Sequence, residues 1–203
     1  MNKLLLILGF FMISCWAKAQ AFTDKALAQA VSQLNTSKTA NDYDGLFNKF
    51  SGAKTSEKWT ANYYAAVSLY LKNELQLKNS SGQNLVENNA MARKIATGIW
   101  TSQRDNAEIN TLIGLLYFQK IQLNDTSNLQ QDMNALSQSI EKAEASSPSN
   151  PRLAILKAKM KEKSGDKANA DLLFQKASDE LNNQNSSGST SPAWGKQLLP
   201  STK

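Results

Sequence analysis

Apolar residues recur at spacings of three and four along nearly the whole chain after residue 20, as Leu27, Val31 and Leu34 illustrate. The alternation of apolar and polar positions that is typical of strands is nearly absent. Ala, Leu, Lys, Gln and Glu, which are good helix formers, are common. The pattern predicts eight helices, at residues 22–35, 41–51, 56–75, 86–102, 106–123, 127–146, 150–164 and 167–183.

Turn-forming residues separate several of these segments. The stretch Asn79-Ser80-Ser81-Gly82 predicts a loop, and residues 124–127 are expected to end one helix and cap the next. Asn150-Pro151 predicts an N-cap followed by proline at the first helical position, where a missing N–H costs nothing. Gly165 lies in a tight turn, where it can adopt the left-handed conformation that ends many helices.

The last two predicted helices match the 34-residue tetratricopeptide pattern. Two antiparallel helices pack closely where small residues face each other, and a large residue fills the gap between neighbouring pairs. Residues 151–184 place such residues at Ala158, Gly165-Asp166, Ala170, Phe174 and Ala177. The same template fits upstream around Ile113-Gly114 and Ala65-Ala66, with longer turns, and residues 22–51 fit a degenerate first pair.

We therefore expect an all-α, tetratricopeptide-like helix-hairpin solenoid of about four antiparallel helix pairs, with a flexible C-terminal tail. An irregular helical bundle is the alternative. The predicted organisation is a signal peptide at 1–19, a helical domain at 20–183, and a linker with a Trp-containing tail at 184–203.

The first 19 residues have the features of a secretory signal. Lys3 gives the positive start, residues 4–13 are apolar, and Ala17-Lys18-Ala19 is a small–x–small cleavage site, which predicts a mature periplasmic or secreted chain beginning at Gln20. An uncleaved anchor is one alternative. A lipoprotein acylated at Cys15 is another, and would place the protein on a membrane.

Cleavage after Ala19 would remove the one cysteine, and the chain has no histidine. The mature chain would then lack disulfides, thiolate nucleophiles, imidazole bases and the usual ligands of zinc, haem and copper. We therefore expect no metal, no cofactor and no catalytic residue, and no P-loop or nucleophile-elbow motif is present. Lys3 and Lys18 leave with the signal, so the formal charge of +6 falls by two to +4, which favours solubility and gives no reason to expect nucleic acid as a partner.

Four short motifs spread over the mature chain carry a resemblance: Tyr63-Tyr64-Ala65-Ala66, the Glu108 to Leu112 helix start, Asn150-Pro151-Arg152-Leu153, and Trp194-Gly195-Lys196. With the signal, they make the chain resemble a family of small exported bacterial proteins with tetratricopeptide-like repeats. These are packing and turn motifs, so the resemblance implies the fold and the compartment, not an activity. Similar proteins often carry a Gly-rich insertion in the last hairpin, where this chain has a short turn.

In such a solenoid, the first helices of successive pairs line a concave groove. The repeat positions place nine residues there: Tyr63, Val67, Tyr70, Leu115, Phe118, Arg152, Ile155, Lys159 and Lys163. They predict an apolar, aromatic groove with a basic end, suited to an extended or helical peptide with an acidic portion. The alternative is that the aromatic residues are core. Tyr63 and Val67 occupy the positions where a carboxylate-binding repeat has Lys and Asn, which argues against binding of a free C-terminus.

Trp194 follows the flexible linker, and either caps the open end of the solenoid or acts as a recognition tag.

The leading hypothesis is that the protein is a non-catalytic protein–protein interaction scaffold of the cell envelope. We expect a protein or peptide partner and no nucleic acid, and contact with a membrane only if Cys15 is lipidated. The alternative is a carbohydrate- or peptidoglycan-binding accessory, because sugars stack on exposed aromatic rings. Solvent exposure of Tyr63, Tyr70 and Trp100 discriminates between the two.

Overall fold

The computed structural model describes residues 22–79, 82–125, 127–186, 192 and 194–200. The expected signal peptide, Cys15 and the cleavage site before Gln20 lie outside these residues. The described chain forms eight α-helices: α1 Lys25–Gln33, α2 Ala40–Ser51, α3 Lys58–Lys78, α4 Leu85–Trp100, α5 Ala107–Gln122, α6 Leu129–Ser146, α7 Pro151–Lys163 and α8 Lys167–Ser186. A single 3₁₀ turn, Lys196–Leu198, follows in the tail. The eight predicted helices are confirmed, each to within a few residues.

Side chains cap several of the helix starts. Asp24 accepts from the main-chain N–H groups of two α1 residues, and Thr39 and Asp42 form a reciprocal capping box at α2. Asn106 caps α5, and Asn150 caps α7 with Pro151 at its first position, as predicted. Because these caps satisfy donors that a helix leaves unpaired, they set the starting points of the elements that carry the site.

The turns use the residues that tolerate left-handed backbone. Gly165, between α7 and α8, has a φ of +83°, as its position predicted. Asn124 also has positive φ, at 54°, and ends α5. The cap of α6 is Asn128, one residue beyond the predicted stretch.

The helices pack as hairpins. The extensive contacts are α3 with α4, α5 with α6, and α7 with α8, and α2 packs as closely on α3 as α4 does. The first helices α3, α5 and α7 also contact one another in sequence, and we call these three helices the inner layer. The predicted all-α helix-hairpin architecture is confirmed, although α1 contacts α2 only lightly, so the first pair is weak.

Burial separates the inner layer from the outer helices. Helices α3, α5 and α7 bury residues around most of their circumference, whereas α4 and α6 bury one stripe each. The stripes include small residues, such as Ala92 and Ala96 on α4 and Ala143 on α6. Gly114 of α5 lies so close to α7 that a Cβ there would come within 2.8 Å of Leu156 Cδ2. Small residues at helix crossings therefore allow the close packing that the repeat pattern predicted.

We use "the tail" for the described C-terminal residues Pro192 and 194–200. The tail lies against the inner layer: Trp194 is 1% exposed and contacts α3 and α7. Further along, the side-chain amide of Gln197 donates to the main-chain carbonyl of Leu34, 3.2 Å away at the end of α1. The tail thus runs from the last helix pair back to the first, and its described residues pack against the helices. No helix of the described chain is long and apolar enough to cross a membrane.

Candidate functional site

A buried ion pair joins two helices of the inner layer. Arg152 of α7 is 0% exposed, and its Nε and Nη2 donate to Glu108 of α5 at 2.8 and 2.7 Å. Asn150 adds a side-chain hydrogen bond of 2.8 Å to the same carboxylate. The two-pronged geometry suits a planar guanidinium, which presents parallel N–H groups to a carboxylate.

The remaining nitrogen of Arg152 faces the tail. Nη1 donates to the main-chain carbonyls of Pro192, at 3.1 Å, and of Trp194, at 2.9 Å. The guanidinium carbon also lies 5.6 Å from the centre of the Trp194 ring. Arg152 therefore contacts both the main chain of the tail and the aromatic ring of Trp194.

Tyr63 links the tail to the same cluster. The indole Nε1 of Trp194 donates to the Tyr63 hydroxyl at 2.9 Å, and that hydroxyl donates to Glu108 Oε2 at 3.2 Å. Tyr70, nearly two turns further along α3, packs edge-on against the indole. We call Arg152, Glu108, Asn150 and Tyr63 the Arg152 cluster. Together they satisfy the polar atom of a fully buried tryptophan.

Local sequence positions each of these groups. Glu108 lies in the first turn of α5, where the helix dipole favours a carboxylate. Asn150 both caps α7 and reaches Glu108, so the cap and the ion pair share one residue. Gly195 has a φ of +122°, and a Cβ there would lie 3.3 Å from Arg152 Cγ, so glycine permits the tail's close approach after Trp194.

The surroundings hold the charges in place. Burial opposes the charge on Arg152, but the charge of Glu108 and its hydrogen bonds raise the pKa of Arg152 overall. Burial, followed by the negative charge of Glu108, raises the pKa of Tyr63 well above its ordinary value. Arg152 thus keeps its charge and Tyr63 stays a neutral phenol near neutral pH, which suits the cluster to binding rather than to proton transfer.

A second polar cluster lies further along the inner layer. Lys159 of α7 pairs with Glu74 of α3, and Gln119 of α5 donates to Glu74 at 2.8 Å and to the main-chain carbonyl of Tyr70 at 3.2 Å. Asn89 of α4 donates to Gln119 Oε1 at 3.1 Å. Burial, and then the neighbouring Glu74 charge, raises the pKa of Tyr70 well above its ordinary value. These bonds connect all three inner helices at a level distinct from that of Arg152.

A cavity of about 600 Å³ opens beside this second cluster. The tail forms one wall, from Gln197 to Pro200, and α2, α3, α5, α7 and α8 supply the others. Apolar side chains such as Leu71 and Phe174 line it, together with three lysines and two glutamates. Gln122 lines it too, and the side-chain oxygen Oε1 of this residue is buried without a hydrogen-bond partner among the described residues. The tail therefore fills only part of the space along the inner layer.

The nine residues predicted to line an open groove do lie on the inner layer, but most are buried. Seven of them are at most 4% exposed: Tyr63, Val67, Tyr70, Leu115, Phe118, Arg152 and Ile155. Lys159 is half-buried in its ion pair, and Lys163 is exposed at the end of α7. An open aromatic groove is thus the wrong description, because the tail and the neighbouring helices cover these side chains. The positive charge predicted at one end of the groove is largely neutralised, because Arg152 and Lys159 are both paired with glutamates.

The sequence did not predict several residues of the site. Glu108 stood out only as part of a helix start and Asn150 only as a cap, while Glu74 and Gln119 did not stand out. The available signal was that Glu108 and Arg152 each lie among apolar residues on the predicted inward face of a helix. Charged residues in such positions are almost never fully buried unless paired.

The rings that motivated carbohydrate binding offer little free surface. Tyr63 and Tyr70 are 0% and 1% exposed. Trp100 is half-buried, its indole N–H donates to Asn110 at 3.1 Å, and the cationic groups of Arg104 and Lys142 lie over its ring. None of the three presents an open aromatic face to a sugar ring.

The described part of the chain contains no group of three or more acidic, cysteine or histidine side chains arranged to hold a metal ion. Comparison of the chain with known protein families, with characterised proteins and with solved structures gave no match. The geometry of the inner layer is therefore the basis for any functional statement.

Proposed function

We propose that this protein is a non-catalytic protein–protein interaction scaffold exported to the bacterial cell envelope. One observation carries the binding part of the proposal: the inner layer holds a peptide segment, the tail, through two main-chain carbonyls and one tryptophan. Buried aromatic residues in well-packed pockets are common anchors of protein–protein binding. Helix-hairpin repeats use the same inner surface for partners.

The export part rests on the sequence of residues 1–19. Intact mass of the protein recovered from its native host tests it. A mature chain beginning at Gln20 is the expected result. An acylated N-terminal Cys15 would instead make the protein a membrane-anchored lipoprotein, and an uncleaved chain would contradict export by this route.

Site-directed photo-crosslinking in the envelope tests the scaffold. A photoreactive residue replaces Lys38 or Lys163, which are exposed at the cavity and at the end of α7. The control replaces Gln130, which is exposed on the outer helix α6. We expect one discrete protein adduct from the inner positions and none from the control position. Equal labelling at all three, or none at any, would contradict a partner at the inner layer.

The carbohydrate-binding alternative has no comparable support, because Tyr63 and Tyr70 are buried and cations cover Trp100. We do not propose it.

A further inference from the structure

The tail fits the inner layer as a bound peptide fits a receptor. Its interactions are two main-chain carbonyls on Arg152, one indole on Tyr63 and Tyr70, and a glycine at the point of closest approach. Further on, Leu198 is buried and Leu199 half-buried against the inner layer. Each of these interactions is available to any extended segment with the same chemistry.

We propose that the tail is an exchangeable ligand bound in cis, and that it occupies the site of a partner protein's Trp-Gly segment. This inference rests on the proposed scaffold function and names the partner's chemistry. The partner segment carries tryptophan followed by glycine, then apolar side chains, and then an acidic group. Exchange of the tail for this segment regulates access to the inner layer.

The unfilled cavity explains how a partner can displace the tail. Because the tail is tethered through the short stretch 187–191, its effective concentration at the site is on the order of millimolar. A competitor must therefore make contacts that the tail does not make. The cavity offers such contacts, because its unfilled volume is lined by apolar side chains such as Leu71 and Phe174.

The charges at the cavity favour an acidic group on the partner. Lys38 and Lys78 line it, are exposed, and form no ion pair with another described residue. Lys159 is already paired with Glu74, which leaves Glu162 as the opposing charge. The balance of charge at the cavity is therefore positive, which favours a negative group on the incoming segment.

A second copy of the chain is a poor candidate for the occupant, because the tethered tail has a high effective concentration at the site. The tail of another molecule makes the same contacts as the cis tail but lacks its tether, so it loses the competition at ordinary concentrations. The full-length chain should therefore be monomeric. A dimer that is lost on Trp194→Ala substitution would overturn the proposal, by showing that a second copy's tail is the occupant.

Peptide binding to the mature full-length chain is the direct test. The probe is a fluorescent peptide of residues 191–203, and binding is followed by anisotropy. We expect saturable binding to the Trp194→Ala chain, at least tenfold weaker binding to the wild-type chain, and no binding of a control peptide with alanine for Trp194. A peptide with glutamate in place of Pro200, which lines the cavity, should bind several-fold more tightly, and more so at low salt. Circular dichroism establishes that the Trp194→Ala chain is folded.

A second preparation covers the case in which Trp194→Ala unfolds the chain. A protease site is inserted after Gly188 in the otherwise unaltered protein, which is cleaved after folding. We expect native mass spectrometry to show the cleaved tail still bound, and excess labelled peptide to replace it within hours. A tail that does not exchange over a day, or a folded Trp194→Ala chain that binds no peptide, would overturn the proposal and leave the tail as a structural cap. Crosslinking at Lys38 and Lys163 tests the scaffold function separately. A discrete adduct there would support the scaffold even if the tail did not exchange.

Discussion

The indole N–H of Trp194 lies 2.9 Å from the hydroxyl oxygen of Tyr63, although 131 residues separate the two in the sequence. The tyrosine hydroxyl in turn donates a hydrogen bond to Glu108, which also accepts from Arg152. One chain of hydrogen bonds therefore connects the C-terminal tail, the third helix and the two inner helices that follow it. In the protein interior such chains stabilise more than isolated bonds do, because no member is left unsatisfied.

Truncating the tail's anchor should measure this connection. Trp194→Ala should lower the free energy of unfolding by about 3–5 kcal/mol, because it removes a fully buried tryptophan and leaves a cavity. Trp194→Phe should cost less, since it keeps most of the apolar contact and loses the bond to Tyr63, worth about 1 kcal/mol. Urea unfolding measures both. Lys196→Ala, an exposed neighbour in the tail, is the control and should lie within about 0.5 kcal/mol of wild type. If all three variants unfold alike, the tail is not bound as described.

Breaking the buried ion pair should be costly as well. Glu108→Gln leaves the Arg152 charge buried without a carboxylate, and we expect a loss of about 3 kcal/mol, measured by urea unfolding. The control is Asp171→Asn, which breaks the exposed Lys167–Asp171 pair and should change stability by about 0.5 kcal/mol or less. High salt should abolish the small effect and leave the large one. Equal effects at the two sites would contradict the burial of the pair.

The helices could be predicted because the information for them is local. Apolar spacing, Asn150 before Pro151 and Gly165 in its turn each act within one or two turns of helix, so a window of sequence suffices. The inner-layer positions were also predictable, because the small residues of each hairpin set which face turns inward.

The solvent exposure of the inner-layer side chains could not be predicted in the same way. Whether Arg152 is open to solvent or buried depends on Glu108, on another helix, and on a tail segment 40 residues downstream of it. No local pattern distinguishes an arginine that lines an open groove from one that already holds a peptide. The path of the tail depends on contacts with α1, α3 and α7 together, and the Ser- and Gly-rich sequence before it carries no sign of them.

Two glycines offer a matched test of helix crossing. Gly114→Ala places a Cβ 2.8 Å from Leu156, so we expect overpacking and a loss of about 1–3 kcal/mol. Gly98 lies in helix α4 with nothing within 4 Å of an added Cβ. Gly98→Ala should therefore stabilise the protein by about 0.5–1 kcal/mol, through helix propensity alone. Thermal unfolding of both variants checks this, and opposite signs are expected. A loss at Gly98 as large as at Gly114 would contradict the assigned packing.

Alkaline pH should unfold this protein through its buried phenols. Burial raises the pKa of Tyr63, Tyr64 and Tyr70 in the folded chain, whereas in the unfolded chain they ionise near about pH 10. The unfolded state then binds fewer protons than the folded state, so stability is full below about pH 10 and falls as the pH rises further. Melting temperatures from pH 8 to 11 should show this decline, with a shallower slope in Tyr70→Phe, which removes one of the three groups. Tyrosinate absorbance for these residues should appear only with loss of the helical circular dichroism signal. Full ionisation of all the tyrosines while the helices are intact would show that Tyr63 and Tyr70 are accessible to solvent and that the tail does not cover them.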